Sequence, residues 1–197
     1  MSTAVLERIK GKFGGDVLET HSHFGDDTAL VAPESWLAVF TFLRHDPECA
    51  FEMLTDLTAV DYPGREVRLE VVVHLQSLSL GHRVRIKARV GNAECEGAAL
   101  DSIVGLWAAA NWLERECFDM FGVNFRAHGD LRRILLYPEF VGHPLRKDYP
   151  AERAQPLIAY RTSEEAGLSV EKQAPFGPDE GMSFSRNDWS KAPEGAN

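Results

Sequence analysis

Metal chemistry needs converging imidazoles and carboxylates, and one short stretch of this 197-residue chain holds them close together: His21-Ser22-His23 followed by Asp26-Asp27. Two histidines at i and i+2 in a strand point the same way and can share a metal. No further set of ligands at metal spacing appears elsewhere, so a solvated loop is the expected state of this stretch. His128 and His143, near Asp130 and Arg146, are of a type suited to acid–base work. Their glycine and proline neighbours fit them better as hydrogen-bonders of turns. Cys49, Cys95 and Cys117 lie far apart with no C-x-x-C pair to seed a zinc or iron-sulfur site, and read as free thiols in a reducing compartment. The glycines between Gly11 and Gly15 lack the Lys-Ser/Thr ending of a phosphate loop, and no G-x-G-x-x-G opens a helix, so nucleotide binding is not supported. A formal charge of -9 argues against a nucleic-acid partner, whose phosphates demand clustered cations.

The elements that must position these groups follow from periodicity. Composition is that of an ordinary globular chain, long enough for one domain with a hydrophobic core plus an extension. Ser2 can cap a first helix with Val5, Leu6 and Ile9 on one face, ended by Gly11 with Gly14 and Gly15. Two short strands, 16–20 and 28–32, flank the polar loop 21–27. Pro33 opens a second helix in which Trp36, Leu37, Phe40 and Leu43 face the core, closed before Pro47. A short turn of helix near 48–53 leads into a strand at 54–61, and Tyr62-Pro63-Gly64 is a turn.

The clearest strand pair is 66–76 with 82–90. Val67, Leu69, Val71, Val73 and Leu75 alternate on the first, and Val84, Ile86, Ala88 and Val90 alternate with Arg83, Arg85, Lys87 and Arg89 on the second. Four cations on one face could grip an anion, but pairing with carboxylates such as Glu66 and Glu70 is the expectation at this net charge. Asp101 or Ser102 caps the longest helix, running to Phe121 with Gly122 as a left-handed C-cap. The fold class is therefore α+β: a two-layer sandwich of helices on a mostly antiparallel mixed sheet, followed by a long extended C-terminal segment.

Within the longest helix, Ile103, Leu106, Trp107, Ala110, Leu113, Cys117, Met120 and Phe121 form one apolar stripe, and Glu114 falls inside it. A carboxylate there must be paired or neutralised; Arg132, Arg133 or Arg146 is the expected partner. Trp112 points the other way, onto a face shared with Arg115, Glu116 and Asp119. That Trp is either an interface anchor or is covered by the chain's own tail. Seven of the ten prolines lie at or beyond Pro138, and regular periodicity ends. Three regions result: a core domain at 1–125, an extended docking segment at 126–161, and an acidic tail at 162–197. Charge divides with them, since 126–161 carries seven Lys/Arg against four Asp/Glu and 162–197 carries three against seven. A stretch without its own core is ordered only by lying on something else.

These residues carry a resemblance. Trp107-Ala-Ala-Ala-Asn-Trp-Leu-Glu-Arg-Glu-Cys-Phe-Asp-Met-Phe-Gly122, His128-Gly-Asp-Leu-Arg-Arg-Ile-Leu135 and Gly142-His-Pro-Leu-Arg-Lys-Asp-Tyr-Pro150 closely resemble the NuoC-like, or 30 kDa, subunit family of bacterial proton-pumping NADH:quinone oxidoreductase, respiratory complex I. The two motifs ending in Gly122 and Pro150 are highly specific together, and the likeness extends over roughly 17–150, including the Asp61-Tyr62-Pro63 turn. Many relatives have Pro where this chain has Gly129, and the end beyond Arg161 matches nothing in the family.

The resemblance implies a core subunit of the hydrophilic arm, peripheral on the cytoplasmic face of the bacterial inner membrane, that holds no cofactor itself. NADH, FMN, iron-sulfur clusters and quinone would be used on other subunits. Partners would be the quinone-site (49 kDa) subunit and neighbouring iron-sulfur subunits. Trp112, Glu114, Arg115, Glu116, Asp119, Arg132, Arg133, His143, Arg146, Lys147, Asp148 and Tyr149 would be structural or interfacial, and none catalytic. The absence of a signal-peptide pattern and of any run of 18 or more apolar residues reads as a soluble, intracellular chain without a membrane span. Two further readings stand beside this one: the equivalent scaffold in a membrane-bound hydrogenase or an F420H2- or ferredoxin-linked dehydrogenase, and a free-standing soluble enzyme.

Overall fold

A computed structural model describes residues 3–157. The chain divides into two units, Met1–Pro156 and Leu157–Asn197, and everything below concerns the first. The expected N-cap Ser2 and the acidic tail at 162–197 lie outside the described residues.

Helix α1 (Thr3–Phe13) buries Val5, Leu6 and Ile9, as their spacing requires. It runs through Gly11 and ends in a 3-10 turn at Gly14–Asp16. Strands β1 (Val17–His23) and β2 (Asp26–Val31) are longer than their apolar content suggested, because they form a tight hairpin about Phe24-Gly25. The expected loop at 21–27 is thus corrected: His21 and His23 are strand residues, with their rings stacked 4.3 Å apart. Pro33–Ser35 makes a 3-10 turn into α2 (Trp36–His45), which buries Trp36, Val39, Phe40 and Leu43. Leu37 is exposed instead of facing the core.

Residues 46–52 form turns with no helix before β3 (Met53–Asp61). β4 (Leu69–Gln76) and β5 (Arg83–Val90) pair antiparallel, Leu69 opposite Val90 and Gln76 opposite Arg83. The five strands run in the order β1-β2-β5-β4-β3, antiparallel except where β2 lies parallel to β5. The core face carries Ala29, Val31, Leu57, Ala59, Leu69, Val71, Val73, Leu75, Val84, Ile86, Ala88 and Val90, in one cluster with the buried side chains of the helices. Burial of such a face is the main favourable contribution to folding. On the opposite face Lys87 and Arg89 pair with the buried Glu70, Arg89 also with Glu19, and Arg85 with Asp26. Glu70 is the expected counter-ion, but Glu66 takes no part: the chain at 66–68 has not yet entered the strand.

The largest departure lies before the third helix. α3 spans Ala110–Phe121, two turns shorter at its start than its apolar spacing suggests. Ala99–Asp101 instead forms β6, which lies parallel to β7 (Asn124–Arg126), and residues 102–109 are turns held by bonds such as Trp107 N–H to Ile103 O. Gly122, at φ 79°, is the left-handed C-cap. These elements make the chain an α+β fold of helices on a mixed sheet.

Candidate functional site

α3 carries groups on two sides. On one, Glu114 is fully buried beneath the turn that follows β6. Its Oε2 accepts the Ser102 hydroxyl and its Oε1 the Ile103 amide, both at 2.7 Å, with His128 Nε2 4.0 Å away. The expected arginine partner is therefore corrected, since Arg132, Arg133 and Arg146 all bind elsewhere. Burial pushes the Glu114 carboxyl up to about 7, partly countered by the two hydrogen bonds. The carboxylate does the work of a cap: it stitches α3 to the end of β6 in place of the helical turns that the spacing promised.

On the other side the expectation for Asp119 is also overturned. It does not share the exposed face of Trp112 but is fully buried. Its Oδ2 accepts three successive amides, of Ile134, Leu135 and Leu136, at 2.9 to 3.0 Å, while Oδ1 takes Arg133 Nη1 at 2.6 Å. Burial alone would raise this carboxyl; the amides and Arg133 outweigh it and hold it below the usual range. Arg133 in turn donates to the carbonyls of Phe140 and Gly142 at 3.0 Å, so one buried ion pair gathers the chain from 133 to 142.

The next anchor is the helix end. His143 Nδ1 donates to Asp119 O at 2.9 Å, Arg146 Nε to Phe121 O at 2.6 Å, and Leu145 N–H to Met120 O at 3.1 Å. These occupy carbonyls that a helix C-terminus leaves unpaired. A side chain at Gly122 would collide with the Arg146 guanidinium and the His143 ring, so glycine is required both for its φ and for the room. Neither histidine is poised for proton transfer to a substrate: His143 is held as described, and His128 Nδ1 accepts the Asp130 amide at 3.0 Å.

A third anchor was missed at the level of sequence. Arg68, buried, grips Asp61 through two bonds of 2.6 and 2.7 Å and reaches Asp148 at 2.9 Å. Asp61 Oδ2 also accepts the Lys147 amide at 2.7 Å. One signal was available: Asp61 continues the parity of Leu57 and Ala59 on β3, so its carboxylate enters buried ground and needs a cation. Arg68 precedes its strand, and no periodicity points to it.

The remaining candidates lie outward. Trp112 is 61% exposed, with the Arg115 guanidinium 5.4 Å from its ring. Arg115 also donates to the carbonyls of Arg132 and Arg133. Glu116 is exposed, and Arg132 forms a surface pair with Asp130. Tyr149 stacks on Phe140 with ring centroids 6.1 Å apart, and the Lys147 side chain carries no bond among the described residues. Leu135, Val141 and Leu145 stand exposed along the same segment. The structure thus brings together Asp119, Arg133, His143 and Arg146 about the end of α3, and Lys147 and Asp148 about Asp61. Glu114 is on the far side and Trp112 at the surface.

All three cysteines are buried free thiols, and among the described residues no group of three or more His, Cys, Asp or Glu is placed to hold a metal ion. No described helix is long and apolar enough to cross a membrane.

Comparison with known proteins agrees with the motifs. Residues 29–155 match the model of the respiratory-chain NADH dehydrogenase 30 kDa subunit. An NADH-quinone oxidoreductase subunit of Trichlorobacter lovleyi is 47% identical over 148 residues, covering 75% of this chain and 88% of that one. A trypsin-resistant fragment of Nqo5, residues 1–134, is similar in structure with a TM-score of 0.54 at 29% identity, covering 66% of this chain and 98% of the fragment. A chain of an archaeal respiratory membrane complex, the membrane-bound sulfane sulfur reductase, shares the fold with a TM-score of 0.64 at 24% identity over 76% of this chain and 86% of its own length. With these matches and the motifs that tie 131–148 to α3 and β3, the chain belongs to the 30 kDa subunit family of respiratory-chain NADH dehydrogenase.

Proposed function

We propose that this chain is a cofactor-free scaffold subunit of the hydrophilic arm of a proton-translocating NADH:quinone oxidoreductase. It supports electron transfer from NADH to quinone without carrying electrons, and it takes part in catalysis only as a member of the complex. The observation that carries this reading is the segment 126–156. It has almost no regular structure, yet Asp119, Arg133, Arg146 and the Asp61–Arg68–Asp148 group pin it to the domain, so that Leu135, Val141 and Leu145 face outward in a fixed arrangement. Preorganisation of exposed apolar side chains lowers the entropy cost of association and suits a permanent partner. Trp112 with Arg115 above it adds an anchor of the type enriched at interfaces.

The partners fitting this reading are the quinone-site (49 kDa) subunit and the neighbouring iron-sulfur subunits, at the cytoplasmic face of the bacterial membrane. NADH, FMN, iron-sulfur clusters and quinone belong to those other chains. A second reading is the equivalent scaffold of a related membrane-bound complex with a different electron donor; the fold itself occurs in an archaeal respiratory membrane complex. Affinity purification of the tagged chain from native membranes, with identification of the co-purifying chains, tests both. Co-purification of flavin- and NADH-binding chains is expected, and another donor module favours the second reading. A stable monomer that turns over a substrate alone overturns the scaffold role.

A further inference from the structure

Helix α2 lacks the charged face that a surface helix ordinarily turns to water. Trp36, Val39, Phe40 and Leu43 are buried on its inner side, yet from Leu37 to Phe42 its outward side presents Leu37, Ala38, Thr41 and Phe42 and no charge. Thr41 adds little polarity there, because its hydroxyl donates to the Leu37 carbonyl at 2.7 Å. With Phe13, whose ring meets that of Phe42 edge-on at 5.8 Å, these side chains line an open groove of about 800 Å³. Ala38 and Thr41 are short between the larger Leu37 and Phe42, a profile into which the ridge of a second helix can settle.

The charges of the groove stand at its two ends. Asp46 is held by Arg8 and Asp101 by Arg126, so neither is free for a partner. Glu34, just before α2, and Lys12, whose ammonium lies 4.1 Å from the centre of the Phe42 ring, have no hydrogen bond or ion pair among the described residues. Phe42 lies about two helical turns beyond Glu34, so a negative and a positive group are set that far apart along the groove.

We propose that this groove receives an amphipathic helix of a neighbouring subunit, with apolar residues at i, i+3 or i+4 and i+7 seated on Leu37, Ala38, Thr41 and Phe42. That helix carries a cation opposite Glu34 and an anion opposite Lys12, about two turns apart. Exposed rim charges add little affinity, but they fix the direction and register in which the apolar stripe docks. A lipid surface offers neither the ridge nor the pair of opposite charges. The inference rests on the chain being one member of a larger complex, and none of the residues lining the groove belongs to the pinned segment 126–156.

The test uses variants of the full chain and the complex purified through it. Leu37→Asp and Ala38→Glu place charge in the groove at exposed positions in the first turn of α2, where acidic residues suit a helix, so the urea midpoint of the chain alone is expected to move little. In the complex each is expected to weaken retention of one neighbouring chain by at least about tenfold. Lys12→Glu is expected to weaken it less, and more at low salt than at high. A photo-crosslinking residue in place of the exposed Thr41 is expected to capture a peptide of another chain that bears the apolar stripe and the two charges. Crosslinking solely to residues 158–197 of this chain, to a second copy of it or to lipid overturns the proposal. So does a clear fall in the midpoint for both Leu37→Asp and Ala38→Glu, which assigns this face an internal partner. If the wild-type chain retains no partners at all, the scaffold reading fails and this inference with it; if partners are retained equally by the wild type and the variants, only this inference fails.

Discussion

Replacing Glu114 by Gln offers a quantitative test of how α3 is joined to β6. The carboxyl sits at about 7 when folded against an ordinary 4.5. That difference corresponds to about 3 kcal/mol. Because the folded value is raised, the stability from this group is fully present below pH 4.5 and is lost as pH rises through about 7. Glu114→Gln keeps the shape and an acceptor for the Ile103 amide but cannot ionise. A constant penalty of about 1 kcal/mol from its imperfect bond to Ser102 is expected at every pH. The readout is therefore the slope: urea unfolding of both chains from pH 4 to pH 8, with the variant gaining about 3 kcal/mol on the wild type between roughly pH 4.5 and 7 and the difference flat above. Other carboxylates cancel in that difference. Parallel profiles for the two chains would refute the claim that burial without a cation governs this group.

Asp119→Ala strands the Arg133 charge and three amides, at a cost of about 3 to 5 kcal/mol; limited proteolysis should then cut within 131–149, and an unchanged pattern would contradict the clamp. Asp119 and Asp61 are both held below their usual range, so their contribution is present above about pH 4 and is lost as pH falls through their folded values; acid unfolding of Asp119→Ala should lack that part of the transition. Arg146→Ala should prevent assembly of the complex while leaving the midpoint potentials of any assembled clusters unchanged, and a complex that forms fully but cannot transfer electrons would count against a scaffold role. Trp112→Ala should alter folding stability by no more than about 0.5 kcal/mol yet reduce recovery of partner chains, as expected for an exposed anchor.

The β4–β5 pair was legible because each strand buries one face, so period-two alternation and burial coincide from Leu69 to Val90. The start of α3 was not. Ile103, Leu106, Trp107 and Ala110 keep helical spacing and are all drawn into the core or packed against it, but through turns, and spacing cannot distinguish a helix from turns that bury the same side. What decided the matter was non-local: β6 pairs with β7 from across α3, and Glu114 binds the Ile103 amide just after β6. The same reason hid the true partners of Asp119 and Glu114. Sequence marked Glu114 as needing compensation but set Asp119 on the outward face; the compensation is a hydroxyl and an amide for Glu114, and three backbone amides with an arginine for Asp119. Backbone donors leave no trace in side-chain pattern.

The clamp also makes one surface depend on another part of the fold. Every anchor of 133–148 is a group on the finished domain: the Asp119 carboxylate, the carbonyls of Met120 and Phe121, and the Asp61–Arg68 pair. Bonds within the segment, such as those from Arg133 to the carbonyls of Phe140 and Gly142, shape it but do not place it on the domain, so the surface it presents depends on α3 and β3 being in place. A chain with a faulty core cannot display that surface, and assembly thereby acts as a checkpoint on folding: a partner that docks there samples only molecules that have already reached the native state.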